Sequence, residues 1–541
     1  MAVDPEIAAL FESDDVIVDT WPAHVRKRLN ISDALVPVGV ETLDSGNHFV
    51  VTGTPGDGKS HLCISVAEML FERTGKVLTP VVKSNIETLD LSQSAGILLG
   101  DASAIEFSQV IDLVDAVRRD GKVILLAVNE GPLQELAELS SYFNQVRDQA
   151  HKQVVSIDPT SRSRAIDLFG RQIVHSSFAR EALQKVLENV TPCPSCRDHR
   201  PCPRVVGAEA LAQSEMAQRR LIELIRIGSD ATYRLTAREV WGFLISLFFG
   251  QRCPRSAYGE SSFRKGLWWN RLFEGVGQSK LDQIVISLND LMNPLEVARA
   301  SDADLWLGRG ALWDSLPVTQ TSPARFGQSN PEEALRAFTD VKRETFFFDE
   351  SWDTDAAVSM ASRAGEFGSL VTDALSGDRR ETISRIVEAL NEYRSGLSDD
   401  EDFVLARHNQ FNVSKRVQAY ISVEQVSVDS LELGLPYESS LTAFPESGFR
   451  PREVHLYWQE APSSVLVIDL DFWTTVRAHR TVYVDRTQEA VDYALDLFMA
   501  AAPSRTQPVG RIEVLVPDRR VRREYRLRRR TQERSIELSR P

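Results

Sequence analysis

Gly53-Thr54-Pro55-Gly56-Asp57-Gly58-Lys59-Ser60 decides how this chain is read. The octapeptide fits G-x-x-x-x-G-K-[ST], the pattern of a loop that cradles phosphate. His48-Phe49-Val50-Val51-Thr52 before it reads as a short buried strand, and Leu62 to Arg73 after it has the apolar spacing of a helix. Glycines let the backbone turn its N–H groups onto a phosphate, and the helix N-terminus adds positive potential. In that pattern Lys59 reaches the β- and γ-phosphates and the Ser60 hydroxyl ligates Mg²⁺. His61 follows directly and is grouped with Gly53–Ser60 as a nucleotide contact. ATP with Mg²⁺ is the expected ligand.

The rest of the chain is organised around this loop. Its 541 residues suffice for two to four domains. A composition of 43% hydrophobic and 26% charged residues is that of a globular protein. A net charge of −15 argues against whole-body attraction to nucleic acid or an anionic membrane, though not against a local basic patch. Val240–Phe249 is too short an apolar run for a membrane helix, so no membrane association is expected. The N-terminus carries Asp4, Glu6, Glu12, Asp14 and Asp15, unlike a targeting peptide. With five cysteines, three of them within ten residues, this suggests a reducing cytoplasm and a metal rather than disulfides.

Strand-like runs alternate with helical patterns through the first half. Strands are expected at Val77–Val82, Ile97–Gly100, Val123–Val128 and Val154–Ile157, with helices at Glu106–Arg119 and Leu133–Arg147. Apolar strands without alternation, separated by helices, indicate a parallel sheet covered on both faces. A helical segment from Glu209 to Phe249 follows. The order resembles an AAA+ ATPase core and lid: an α/β P-loop NTPase whose lid carries a cysteine insertion. Pro, Ser and Gln between Ser315 and Pro331 make a linker candidate. Helices near Pro331–Asp340, Ala356–Ala374 and Glu381–Glu392 come next. Strands at Glu453–Trp458 and Ser464–Asp471, a helix at Thr487–Ala501 and strands at Arg511–Val516 and Val521–Arg528 complete a C-terminal α+β domain. The expected division is an N-terminal helical segment (1–40), the ATPase core (41–190), the cysteine insertion and lid (191–310), and the C-terminal domain (311–541).

A hydrolase of this kind needs a carboxylate beside the phosphates to hold Mg²⁺ and another group to orient water. Asn129-Glu130 ends the Val123–Val128 run, with Glu130 as candidate base. Asn129 is an amide where the usual acid stands; it can hold a metal-bound water but brings no charge. Asp101, after the Ile97–Gly100 run, supplies that charge if its strand lies adjacent. Asn129 left uncharged favours a slow or non-hydrolysing switch; Glu130 favours turnover. Ser156 and Asp158 stand where the next strand tip senses the γ-phosphate. Arg162 and Arg164 are candidates for reaching a phosphate across a subunit interface, which would require oligomerisation. Arg238, in Thr236-Ala237-Arg238-Glu239, opens an apolar helix where AAA+ lids carry a phosphate-binding arginine.

Cys193, Cys196, His199 and Cys202 follow one another at three-residue steps, and Cys253 lies beyond the lid helix. Thiolates with imidazole suit structural Zn²⁺, held by four of these five residues. Cys₃His with His199 and Cys₄ with Cys253 are both open, and an iron–sulfur cluster uses similar spacing. The last 31 residues hold eleven arginines against five acidic residues. Arg522, Arg526 and Arg528 alternate with Val521, Tyr525 and Leu527, while Arg519, Arg520, Arg523, Arg529 and Arg530 enlarge the patch. Contact with DNA, docking on an acidic partner and solvation of an edge strand all fit such a cluster. Trp268-Trp269 beside Arg264, Lys265 and Arg271 is a second stacking candidate, with core burial the alternative.

The loop, Asn129-Glu130-Gly131, the Cys-x-x-Cys insertion and Leu235-Thr236-Ala237-Arg238 together resemble the ATPase subunit of bacterial restriction systems that act on DNA according to its phosphorothioate modification, the DptF/DndF type, and related phage-defence ATPases. The motifs lie within residues 40–260. The resemblance implies an ATPase working with partner subunits that translocate or cleave DNA. A non-hydrolysing nucleotide-dependent scaffold and a signalling ATPase without DNA contact are the competing expectations.

Overall fold

His48–Thr52 (β1) and Val123–Ala127 (β4) are buried at every residue, as runs without polar alternation require when helices cover both faces of a sheet. In the computed structural model they pair in parallel at the centre of a five-stranded sheet, with Phe49 opposite Leu125 and Val51 opposite Ala127. Residues 31, 33–81, 93–152, 155–190, 202–231, 234–249, 264, 266–274, 294–296, 298–318, 322–327, 330–353, 362–377, 379–395, 403–407, 418–436, 438–477, 486–502, 511–516, 521–530 and 535–539 are described.

The chain divides into two units. The first spans Met1–Ala361 and Tyr437–Arg450, the second Ser362–Pro436 and Pro451–Pro541. In the first, α1 (Val36–Asp44) leads into β1, and α2 (Lys59–Thr74) follows the glycine-rich loop. Next come β2 (Leu78–Pro80), β3 (Gly96–Leu99), α3 (Phe107–Arg119), β4, α4 (Glu130–Leu139), α5 (Ser141–His151) and β5 (Ser163–Asp167). The sheet order is β2-β3-β4-β1-β5, parallel throughout. In α3, Val110, Val114 and Val117 recur at helical spacing and are buried against the sheet. Each such side chain contributes roughly 1.5–3 kcal/mol by leaving water.

Parallel strands bring their C-terminal ends to one edge, so Thr52, Leu99, Ala127 and Asp167 end together. That edge is where ligands bind open α/β sheets.

Two expectations in this region are corrected. The helix expected over Leu133–Arg147 is two helices, broken at Ser140, whose extended backbone (φ −139°, ψ 129°) ends one and begins the other. Among the described residues the last strand of this sheet is Ser163–Asp167; of the expected Val154–Ile157, Val154 lies outside the described residues and 155–157 form no strand. Asp158 instead folds a turn ahead of it, accepting hydrogen bonds from Ser161 N (3.0 Å) and Ser161 Oγ (2.6 Å).

Helices α6 (Phe178–Asn189), α7 (Pro203–Ala212), α8 (Glu215–Ala231), α9 (Ala237–Phe249), α10 (Trp268–Glu274), α11 (Asp302–Leu307) and α12 (Pro331–Phe348) also belong to the first unit. Phe346, Phe347 and Trp352 share one core with Leu221, Phe243, Trp268 and Trp269. Residues beyond 310 therefore complete the helical body, and the sequence-based boundary and linker near 310–331 fall inside this unit. Of the expected N-terminal segment, residues 1–30 and 32 lie outside the described residues.

The second unit holds α13 (Ser362–Ser376), α14 (Arg379–Ser395), α15 (Leu470–Arg477), α16 (Arg486–Ala500) and two antiparallel sheets. One is β10 (Ala461–Asp469), β9 (Glu453–Trp458) and β8 (Leu431–Gly434), in that order. Alternation in β9 buries Val454, Leu456 and Trp458, and Trp458 stacks on Phe498 with centroids 4.8 Å apart. The other runs β13 (Ser535–Ser539), β12 (Val521–Arg530), β11 (Arg511–Val516), β7 (Gln418–Val426) and β6 (Phe403–Arg407). No described helix is long and apolar enough to cross a membrane.

Candidate functional site

The glycine-rich loop leaves β1 at the ligand-binding edge and closes into the first turn of α2. Gly53, Gly56 and Gly58 have φ of 142°, 93° and 87°, which the turn requires and side chains other than glycine resist. Gly58 caps α2 in the left-handed conformation. Lys59 folds back over the loop, and its Nζ donates to the carbonyls of Gly53 (3.1 Å) and Thr54 (2.7 Å). Burial lowers its pKa, while the charges of Asp57 and Asp101 pull the other way. A cation held on neutral carbonyls in a desolvated loop gains most from an anion. The buried Asp57 braces the loop from inside, accepting from Thr54 N (2.7 Å) and Thr54 Oγ1 (2.9 Å). Pro55 is exposed at the loop's tip, and His61 turns to the opposite side, its Nε2 3.4 Å from the Ile31 carbonyl.

Helix α2 runs back across the sheet, which brings Ser60 to the end of β3. Its Oγ donates to the Gly100 carbonyl at 2.8 Å, leaving the oxygen's lone pairs to face a cation. Asp101 follows immediately and accepts from Ser103 N (3.0 Å) and from the Ser103 hydroxyl. Asn129 Nδ2 donates to that same hydroxyl at 3.2 Å. Strands β3 and β4 are neighbours, the condition on which Asp101 could supply a charge beside Asn129. Glu130 is the exposed first residue of α4.

Sequence reading missed Asp167. It ends β5 opposite Thr52, accepts from Phe169 N at 2.9 Å, and stands where Ser156 and Asp158 were expected. Burial raises its pKa, and the charges of Glu130 and Asp57 raise it further. Several carboxylates thus converge on this edge, an arrangement that favours cations and protons there.

The helical body reaches over the loop at the start of α9. Thr236 and Glu239 form a reciprocal cap: Thr236 N and Oγ1 each donate to Glu239 Oε2 at 2.9 Å, and Glu239 N donates to Thr236 Oγ1 at 3.3 Å. Arg238 N donates to the Gly56 carbonyl at 3.4 Å. A side chain at Gly56 would place its Cβ 3.0 Å from Thr236 Oγ1 and 3.6 Å from Arg238 Cβ. Arg238 therefore stands beside the glycine-rich loop. Arg234, just before it, is a second residue that sequence reading passed over. Its NH2 bonds Asp57 Oδ1 (2.5 Å) and Thr54 Oγ1 (2.6 Å).

Arg162 is elsewhere. It precedes β5 at the opposite end of the sheet, with φ 53°, its carbonyl accepting from His48 N and its guanidinium donating to Gly46 O at 2.5 Å. Within its own chain it cannot be a catalytic residue of this site, because the strand separates it from the loop. Arg164 bonds Thr42 Oγ1 from within β5.

Of the cysteine set, Cys193, Cys196, His199 and Cys253 lie outside the described residues, and Cys202 precedes α7. Among the described residues no group of three or more His, Cys, Asp or Glu is placed to hold a metal. Trp268 and Trp269 are core, 1% and 0% exposed, and Trp268 Nε1 bonds the Gly207 carbonyl, so they offer no stacking surface. Strand β12 lies inside its sheet between β13 and β11, which removes the edge-strand explanation for its arginines. Register sets Arg526 opposite Arg511 and Arg528 opposite Glu537, while Glu524 faces Glu513.

Comparison with protein-family models, curated proteins and solved structures returns no match, so the residues above carry the functional reading by themselves.

Proposed function

We propose that the first unit binds and hydrolyses ATP, in an AAA+-like arrangement of P-loop core and helical lid. The observation that carries this reading is the meeting, at one sheet edge, of Lys59 on bare carbonyls, Ser60 beside Asp101, and Arg238 beside Gly56. Lys59 and the loop N–H groups bind phosphate. Ser60 and Asp101 are the residues that would hold Mg²⁺, which supplies charge neutralisation to the phosphates. Asp101 takes that role over Asn129 because Ser60 is bonded to the adjoining Gly100 and Asp101 has a full charge. Asn129 and Ser103 then hold the Asp101 carboxylate in place. Glu130 orients the attacking water, and Arg238 meets the charge that develops on the γ-phosphate.

The wider reading follows the resemblance to phosphorothioation-dependent restriction ATPases. The chain would be the energy-supplying subunit of a DNA-restriction or phage-defence assembly, with partner subunits acting on DNA and the arginines of β12 as its own candidate DNA contact. A structural Zn²⁺ held by four of Cys193, Cys196, His199, Cys202 and Cys253 belongs to the same proposal.

The test is ATP turnover by the purified full chain, alone and with DNA, in wild type, Lys59→Ala and Glu130→Gln. Lys59→Ala should abolish nucleotide binding. Glu130→Gln should keep binding and lose turnover by about 10²–10⁴-fold, the usual contribution of a general base. A Glu130→Gln protein that behaves like wild type would favour the non-hydrolysing scaffold, for which Glu130 is only a surface residue.

A further inference from the structure

Asp57 is an awkward residue for a loop that is to receive a triphosphate. It is buried, and its negative charge opposes the ligand. Lys59 does not neutralise it by contact, since the Lys59 ammonium is bonded to the Gly53 and Thr54 carbonyls. The direct partner is Arg234, with side chains only 11% and 2% exposed for Arg234 and Asp57. Both terminal nitrogens of Arg234 are committed. NH2 bonds Asp57 Oδ1 and Thr54 Oγ1, and NH1 bonds the carbonyls of Leu168 (2.8 Å) and Arg171 (3.3 Å). The guanidinium also lies 5.0 Å from the centre of the Phe169 ring. These contacts join the phosphate loop to the segment that follows β5 and to the residues that open α9.

We infer that Arg234 is the positioning residue of the triphosphate site: it cancels the Asp57 charge inside the loop and holds the loop, the end of β5 and the start of the lid in one arrangement. This rests on the reading of Gly53–Ser60 as a nucleotide site. Arg234 acts through Asp57 and does not touch the phosphates, because its terminal nitrogens are already spent on four protein oxygens. Removing it leaves a buried carboxylate uncompensated beside the incoming phosphates. Removing the Asp57 charge as well takes away the reason the arginine is needed.

That logic sets the experiment: affinity of the full chain for the fluorescent analogue mant-ATP in wild type, Arg234→Gln, Asp57→Asn, the double variant and Lys59→Ala, with thermal melting of each. Arg234→Gln is expected to weaken binding by about thirtyfold or more, the usual scale for stranding one member of a buried charge pair. The double variant should recover most of the affinity that Arg234→Gln loses, and Asp57→Asn alone, which keeps Arg234, should lose less than Arg234→Gln does. A double variant as weak as Arg234→Gln would make Arg234 a phosphate ligand and overturn the inference. So would a folded Arg234→Gln protein with wild-type affinity. If Arg234→Gln does not fold, the double variant decides: folding with affinity for mant-ATP well above that of Lys59→Ala supports the inference, and folding without binding overturns it. Equal binding by wild type and Lys59→Ala would instead sink the nucleotide site itself, whatever Arg234 does.

Discussion

Substituting Gly56 by Ala probes whether the lid rests on the phosphate loop, and the cost can be worked from geometry. At φ 93° an alanine stands in backbone space that L-residues avoid, at about 1–2 kcal/mol. Its Cβ would lie 3.0 Å from Thr236 Oγ1 and 3.3 Å from Thr236 Cβ, so one of the two must give. Thr236 cannot shift cheaply, because its Oγ1 and N are both bonded to Glu239 Oε2. Loosening that cap costs about 1 kcal/mol more. The total is about 2–3 kcal/mol.

Gly75 provides the control. It has φ 69°, ends α2, and nothing lies within 4 Å of an added Cβ, so Gly75→Ala bears the backbone cost alone. Denaturant midpoints of the full chain should place Gly56→Ala below Gly75→Ala by about 1 kcal/mol. In a Thr236→Ala background, where the oxygen contact is gone, that excess should shrink. Nucleotide affinity should fall in Gly56→Ala and stay unchanged in Gly75→Ala. Equal stability losses in the two glycine variants, or additive effects with Thr236→Ala, would refute the placement of α9 over the loop.

Three further outcomes are expected. Asn129→Asp sets two carboxylates against the one Ser103 hydroxyl, which already donates to Asp101, so ATP turnover should fall; a rise would move the metal site to residue 129. Burial, with the nearby Glu274 charge, pushes the Asp340 pKa up to about 7 from 3.8, although Arg264 lies 3.4 Å away. An acid whose folded pKa is raised contributes stability that is present below its unfolded pKa and lost as pH rises through the folded one. Melting temperature should therefore decline between about pH 4 and pH 8 by the equivalent of up to about 4 kcal/mol, and Asp340→Asn should flatten that decline; parallel curves for the two proteins would contradict it. Elemental analysis of the purified chain should find one zinc that Cys202→Ser loses, and zinc-free wild-type protein would remove the metal from the proposal.

The parts of the fold that were legible in sequence are those fixed by local pattern. Strand β4 is a uniform apolar run and β1 has Phe49-Val50-Val51 at its centre, as burial on both faces requires, and α3 carries its core face as Val110, Val114 and Val117. What failed was hidden by tertiary satisfaction of polar groups. Strand β5 reads Ser163-Arg164-Ala165-Ile166-Asp167, too polar for a buried strand, yet Ser163 is bonded to Gln149 and Arg164 to Thr42. The break at Ser140 was invisible because Leu133, Leu136, Phe143 and Val146 keep one helical phase across it. A spacing rule cannot see a kink that preserves the spacing.

At the candidate site the same division applies, with a sharper consequence. The loop's own geometry is local and could be read from eight residues. Which carboxylate stands nearest Ser60 could not, because Asn129-Glu130 and Asp101 end different strands and only the folded sheet brings Ser60 against Gly100-Asp101. The burial of the Asp57 carboxylate was not legible in those eight residues, so its need for a distant cation stayed hidden. A carboxylate enclosed in such a loop is costly without a cation, and the Lys59 ammonium is bonded to the Gly53 and Thr54 carbonyls instead. The structure supplies that cation as Arg234, 177 residues away along the chain. On the proposed reading Arg234 is as necessary to the loop as Lys59, because the loop's charge balance is set before any nucleotide arrives.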